Sequence, residues 1–333
     1  MRDSNIDFLR AIGLLLIILA HIGAPNGIQQ VRCFDVPLMI FVSGLSASGK
    51  KQSIPYHKYV LNRTKRLVYP TWLFLCFYIL VLFGAQTLEL IPTYITWNKV
   101  IESFLLLEGV GYVWIIRVFL LMMLITPILN MLCAKLKSSW SFMLILIGIA
   151  IVQEYICTIL PEIQECSILY FITNEYLVYL IGYSILFMLG LRLRFYQNSK
   201  YNTMCVVAAL LILLSASALI YIRFYGLPIY INSFKYPPQS YFLIYGASIS
   251  IILWLIRPIY SSISKNRIFS FLGSNSIWIY LWHIPFTLVA NKYIDNWILR
   301  YLFVLSSCLF IYTIQYNIIN RKTLNNFSKY LIG

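Results

Sequence analysis

The amino-acid sequence predicts an all-α, polytopic membrane protein of ten transmembrane helices, a single domain over residues 1–333 with both termini on the cytoplasmic side. Three observations carry this prediction. The first is composition: 60% of the 333 residues are hydrophobic and 11% charged, and mean hydropathy is +0.78. Soluble domains run about 45–50% apolar and about 25% charged, so this chain has too few charges to cover a water-soluble body. The second is the recurrence of apolar runs near the ~20 residues that a spanning helix needs. The third is the placement of the basic residues, which separates the two ends of those runs.

Ten apolar runs are centred on 6–23, 33–49, 67–84, 112–133, 140–160, 175–192, 202–222, 239–256, 275–291 and 298–319. The first holds ten uncharged residues between Arg10 and His21. The second is short and contains Ser43, Gly44 and Gly49, as suits a helix that faces other helices rather than lipid. The third follows a basic stretch ending at Arg66. The fourth opens on Trp114 and Arg117, and the fifth carries Glu154. The sixth, seventh, eighth and tenth are apolar runs of ordinary length. The ninth is weakened by His283 and the Pro285 that follows. No connection is longer than about 30 residues, as befits a bundle of closely linked spans. No signal-peptide cleavage site is recognisable, so the first run is expected to be retained.

The net charge of +15 raises the question of nucleic acid. With the N-terminus inside, however, 19 of the 26 Lys and Arg fall in cytoplasmic segments, with only Asp3 and Asp7 as acids, while the outer segments hold six basic residues and eight acids. Cytoplasmic loops carry such an excess in membrane proteins. The basic balance is therefore topological, and a nucleic-acid partner is not expected; the lipid bilayer is. Of the seven cysteines, Cys33 and Cys166 fall on the outer side and are able to pair in an oxidising compartment. The odd total and the lack of a spacing pattern favour reading the others as small apolar residues.

Ionisable groups inside spans cost about 2.5–3.5 kcal/mol on insertion scales and are functional candidates by default. On one helix, the 11 residues from Arg10 to His21 turn the chain to within about 20° of three full turns and separate the two by about 16 Å. Asp7 lies one turn from Arg10 and can pair with it. A bland reading has Arg10 snorkelling to inner headgroups and His21 marking the outer interface. Arg63 and Arg66 are one turn apart, with Lys65 between them, and paired guanidinium groups suit phosphates; the bland reading is positive-inside decoration. Ser43 and Gly44 allow close backbone approach. Trp114 is also an ordinary interface residue, and Glu154 either faces a cavity or is protonated. Tyr280 and His283 lie near the middle of the ninth run. No zinc-ligand spacing, phosphate-cradling glycine loop or nucleophile elbow is visible, so no metal is expected and any chemistry rests on His, Arg and carboxylates.

These motifs together resemble the membrane acyltransferase-3 family of bacterial O-acyltransferases, in its stand-alone form without a secreted hydrolase-like domain. Asp7, Arg10 and His21 match the opening Asp-x-x-Arg, ten residues, His. Val36 to Gly44 looks like the family's Pro-Leu-Phe-Phe-x-x-Ser-Gly span, although Met39-Ile40 replaces the phenylalanine pair and Ser46-Ala-Ser-Gly-Lys50 is unusual. Arg63-x-x-Arg66 with Pro70, Trp114 to Pro127, and Ser276, Tyr280 and His283 match later motifs in family order. The resemblance implies a ten-helix enzyme of the bacterial inner membrane that takes an acyl group, most often acetyl, from cytoplasmic acetyl-CoA to a carbohydrate hydroxyl of a capsule, O-antigen or exopolysaccharide. It implies His21 as general base or covalent acyl carrier, and Arg10 as donor anchor or stabiliser of negative charge. Arg63, Arg66 and Lys65 would hold CoA phosphates, with Asp7, Ser43, Trp114, Arg117, Tyr280 and His283 in support. Segment 223–238, rich in aromatics and prolines, would offer stacking surface to a glycan. The rival reading is a transporter or flippase, in which the same residues line a path.

Overall fold

A computed structural model describes residues 3–48, 55–89, 95–107, 109–136, 138–165, 167–195, 200–227 and 230–321. Among them there is no strand. In chain order the helices are α1 (Ser4–Ala20), α2 (Asn26–Val31), α3 (Asp35–Ala47), α4 (Tyr56–Thr87), α5 (Trp97–Phe104), α6 (Trp114–Lys135), α7 (Ser139–Ile159) and α8 (Ser167–Ile172). A π-helical turn, Thr173–Leu177, joins α8 to α9 (Val178–Phe195). Then come α10 (Lys200–Tyr225), α11 (Ser240–Leu255), α12 (Arg257–Ser264), α13 (Arg267–Ser274), α14 (Ser276–Tyr293) and α15 (Trp297–Arg321).

A helix stands at each of the ten apolar runs. Five stretches among the described residues are long and apolar enough to cross a bilayer: α4, α6, α7, the continuous run Ser167–Arg194, and α15. α11 and α12 together make a sixth, bent by 70° at their junction. This is a multi-pass membrane protein, but ten full-length spans are not reached by that measure. α1 and α3, at 17 and 13 residues, extend only about 26 and 20 Å at 1.5 Å per residue, against a hydrocarbon core of about 30 Å.

The chain forms two compact units. The first comprises Met1–Ile17, Pro25–Gln52 and Leu124–Gly273. Its centre is α3, which is buried on nearly every face, from Asp35 to Leu45. That burial explains why this run is short and rich in small residues: it meets protein rather than lipid. Leu38, Phe41, Val42 and Leu45 pack with Ile6 and Leu9 of α1, Ile251 and Trp254 of α11, and Tyr260 of α12. Against α9 the contact is closer still. A Cβ at Gly44 would overlap the Phe187 carbonyl, and one at Gly190 would overlap the Phe41 carbonyl. Apposed small residues let two helix backbones touch, which is how helices gain contact energy where lipid supplies no hydrophobic drive.

The second unit comprises Ile18–Ala24, Ser53–Met123 and Ser274–Gly333. Trp282 of α14 meets the rings of Phe74 and Phe77 of α4 at 5.6 and 5.7 Å, and its indole N–H donates to Gln315 Oε1 of α15 at 2.7 Å. The half-buried indole thus packs its apolar body and satisfies its single donor. The Tyr59 hydroxyl donates to the Met123 carbonyl at 3.1 Å, joining α4 to α6.

Candidate functional site

His21 lies just beyond the end of α1. The helix stops at Ala20, where the His21 N–H bonds back to the Ile18 carbonyl at 3.1 Å, a tightened last turn. Gly23, at φ +69°, then takes the left-handed conformation that ends helices. α1 therefore ends one residue short of His21. Side chains from the far end of the sequence hold the carbonyls just past the helix. Asn291 Nδ2 donates to the His21 carbonyl at 2.9 Å, and Arg300, which also donates to the Ile294 carbonyl, donates to that of Ile22 at 3.3 Å. A cation at a helix C-terminus also complements the dipole.

Around the His21 ring the second unit assembles three further groups. His283, fully buried on α14, places Nε2 3.3 Å from His21 Nδ1. Tyr112 stacks its ring on His21 at a centroid distance of 3.9 Å. The Tyr280 hydroxyl donates to the Tyr112 carbonyl at 2.6 Å. Tyr112 has φ +57°, a conformation that costs a bulky L-residue about 1–2 kcal/mol. Such strain persists only where surroundings impose it, and it gathers at functional sites.

The tautomers follow from the hydrogen bonds. His283 Nδ1 lies against the Tyr280 carbonyl, which can only accept. Nδ1 of His283 therefore carries its proton, and in the neutral ring Nε2 is an acceptor. His21 Nδ1 must then be the donor of the pair, which leaves His21 Nε2 as the nitrogen able to take a proton.

In the first unit, Arg10 NH1 donates to Asp7 Oδ1 at 3.3 Å, and NH2 donates to Ser46 Oγ at 2.6 Å. Asp7 is buried, and Arg10 keeps a quarter of its side chain exposed. Ser43 instead donates to the Met39 carbonyl of its own helix at 2.9 Å. Ser46, three residues on and also bonded back to Val42 at 2.7 Å, is the serine that fixes the guanidinium. Arg63 and Lys65 are half-buried and Arg66 exposed on the first turns of α4, and the Arg63 guanidinium lies over the Tyr59 ring at 5.4 Å. Trp114 opens α6, and Arg117 is buried one turn later.

Glu154 has a structural explanation beyond the two the sequence offers. It accepts from the Tyr221 hydroxyl at 2.6 Å and from the Ser240 N–H at 2.9 Å, so it satisfies the first turn of α11. Cys33 is a free, buried thiol, and Cys166 lies outside the described residues. In segment 223–238, of which residues 228 and 229 lie outside the described residues, Phe234 packs on Tyr221, Tyr225 and Tyr241. Exposed ring surface remains at Tyr225, Tyr230 and Tyr236.

Sequence reasoning missed Tyr112, Ser46, Asn291 and Arg300. The local signal at Tyr112 is the preceding Gly109-Val-Gly111, which marks an irregular approach to α6. For the other three no local signal exists.

Comparison with known proteins finds no match among curated proteins and none among solved structures. The family model described as an acyltransferase domain matches residues 3–316, nearly the whole chain. Its coverage takes in the His21 and His283 pair, the Asp7–Arg10 pair and the Arg63–Arg66 turn alike, and the chain belongs to the acyltransferase-3 family of membrane acyltransferases.

Proposed function

We propose that this membrane acyltransferase moves an acetyl group from cytoplasmic acetyl-CoA to a hydroxyl of a cell-surface or exported carbohydrate in the bacterial inner membrane. The observation that carries the reading is the His21–His283 pair, with its tautomers set by the Tyr280 carbonyl. His21 Nε2 accepts the proton of the sugar hydroxyl as that oxygen attacks the thioester carbonyl. The resulting imidazolium keeps its Nδ1–H bond to neutral His283, which strengthens as charge develops. The C–S bond then breaks, and the departing thiolate takes the proton from Nε2. Arg63, Arg66 and Lys65 bind the CoA phosphates on the cytoplasmic side, where two guanidinium groups on one turn offer bidentate donors. Arg10, held by Asp7 and Ser46, binds a negative group of the donor.

The test uses membrane vesicles that contain the native glycan and radiolabelled acetyl-CoA. Label is expected in the polysaccharide with the intact protein and is lost with His21→Ala at unchanged membrane level. Full transfer by His21→Ala, or accumulation of unmodified sugar on one side of the vesicle as the sole activity, would overturn the reading.

A further inference from the structure

A second charged cluster lies within the first unit, on the side that the charge distribution assigns to the outside. Arg32, Asp35 and Lys235 are 5%, 1% and 5% exposed. Arg32 NH1 donates to Asp35 Oδ2 at 2.5 Å, and Lys235 Nζ donates to Asp35 Oδ1 at 3.4 Å. The Asp35 Oδ1 atom also accepts from the Val36 N–H at 2.8 Å. Two buried cations thus share one carboxylate, and the cluster carries a surplus of one positive charge.

The donors are in surplus as well. Of the five N–H donors on Arg32, Nε serves Gln29 Oε1 at 2.7 Å and one on NH1 serves Asp35. Of the three on Lys235, one serves Asp35. The others have no protein acceptor among the described residues. In the same unit, the fully buried Tyr183 hydroxyl has no hydrogen-bond partner among the described residues. Tyr236, half-exposed, lends its ring to the Lys235 ammonium at 5.4 Å. Two buried cations on a single carboxylate leave a surplus charge whose desolvation one carboxylate does not offset. A one-to-one pair would have closed this connection between the segment around α2 and the turn at Ile231–Phe234, so a purely structural staple leaves the second cation unexplained.

We infer that Arg32 and Lys235 form a binding site for an oxyanion, a carboxylate or a phosphate, with Asp35 orienting the two cations and Tyr236 flanking the approach. Cations that already hold one carboxylate and keep donors to spare present the charge and geometry that a second oxyanion needs. The chemistry is that of an acidic sugar, a sugar phosphate or a phospholipid headgroup. Only its identification as an acceptor subsite rests on the proposed acetyl transfer; the anion site stands on the cluster alone.

The experiment is a thermal-shift titration of the purified full-length protein in neutral detergent with glucuronate or inorganic phosphate, at ionic strength balanced with chloride. A parallel arm compares nanodiscs of phosphatidylcholine with nanodiscs containing phosphatidylglycerol. A saturable rise in Tm is expected with at least one probe. The soluble arm supports a sugar-borne or free anion, and a rise confined to phosphatidylglycerol supports a headgroup. Lys235→Met is expected to weaken the apparent affinity about tenfold or more, as loss of a charge-assisted hydrogen bond requires. Without any probe its Tm should equal or exceed that of the parent, because Arg32 and Asp35 remain as a neutral pair. His21→Ala should bind the probes like the parent, so loss of acetyl transfer and loss of the anion site are read separately. No rise with any probe, an undiminished rise in Lys235→Met, or a Lys235→Met protein much less stable than the parent without probe would each overturn the inference.

Discussion

Replacing His283 by leucine removes the acceptor for His21 Nδ1 while keeping an apolar side chain of similar bulk in a fully buried position. In the resting state the 3.3 Å contact joins two neutral rings, and a bond of that kind contributes about 0.5–1.5 kcal/mol. In the proposed mechanism His21 takes a proton and the bond becomes charge-assisted, and such bonds contribute about 1.5–3 kcal/mol. Only the difference acts on the chemical step. A differential of about 1–1.5 kcal/mol is about 5- to 15-fold in kcat at 1.36 kcal/mol per factor of ten. If the resting bond contributes nothing, the bound rises to about 150-fold at 3 kcal/mol. The effect should remain below that of His21→Ala, since the proposed general base is worth up to about 10⁴-fold. The assay is the initial rate of label transfer from acetyl-CoA to glycan in vesicles. The KM for acetyl-CoA should stay within about twofold, because the proposed role of His283 is exercised through His21 and the proposed phosphate contacts are Arg63, Lys65 and Arg66. His283→Gln, whose side-chain oxygen can accept from His21, should recover part of the rate. Unchanged kcat in folded His283→Leu, or a His283→Gln no better than the leucine variant, would refute the acceptor role.

Three further outcomes are expected. Gly44→Ala forces a methyl group into the Phe187 carbonyl and should destabilise the protein by about 1–3 kcal/mol, read as a lower Tm in detergent; an unchanged Tm would show that α3 and α9 separate freely. Tyr280→Phe removes the 2.6 Å bond to the Tyr112 carbonyl and frees a strained residue, so transfer should fall by about 2- to 10-fold, the kinetic equivalent of about 0.5–1.5 kcal/mol, with little loss of Tm. Glu154→Ala leaves the Ser240 N–H and the Tyr221 hydroxyl without their acceptor and should lower stability by about 1–3 kcal/mol, whereas Glu154→Gln, which still accepts through one oxygen, should lose less; equal losses would argue against the capping role.

The sequence by itself determined the all-helical class, the location of every apolar helix and the residues that an apolar chain should have rejected. These are local properties: the length of an apolar run, its small residues and the sign of the charges at its ends are each written within a few turns of chain. The Asp7–Arg10 pair was legible for the same reason, since three residues make one turn. Tertiary structure decided the rest. It ended α1 at Ala20, where Gly23 turns the chain and Asn291 and Arg300 take the carbonyls of His21 and Ile22 just beyond the helix. It chose Ser46 over Ser43 for Arg10, because a serine is free to bond its own helix until a neighbouring cation selects one. It set His283 beside His21 across 262 residues of sequence and bent Tyr112 onto the same ring. Pairings of this kind depend on which remote elements pack together, and no periodicity within one helix encodes them.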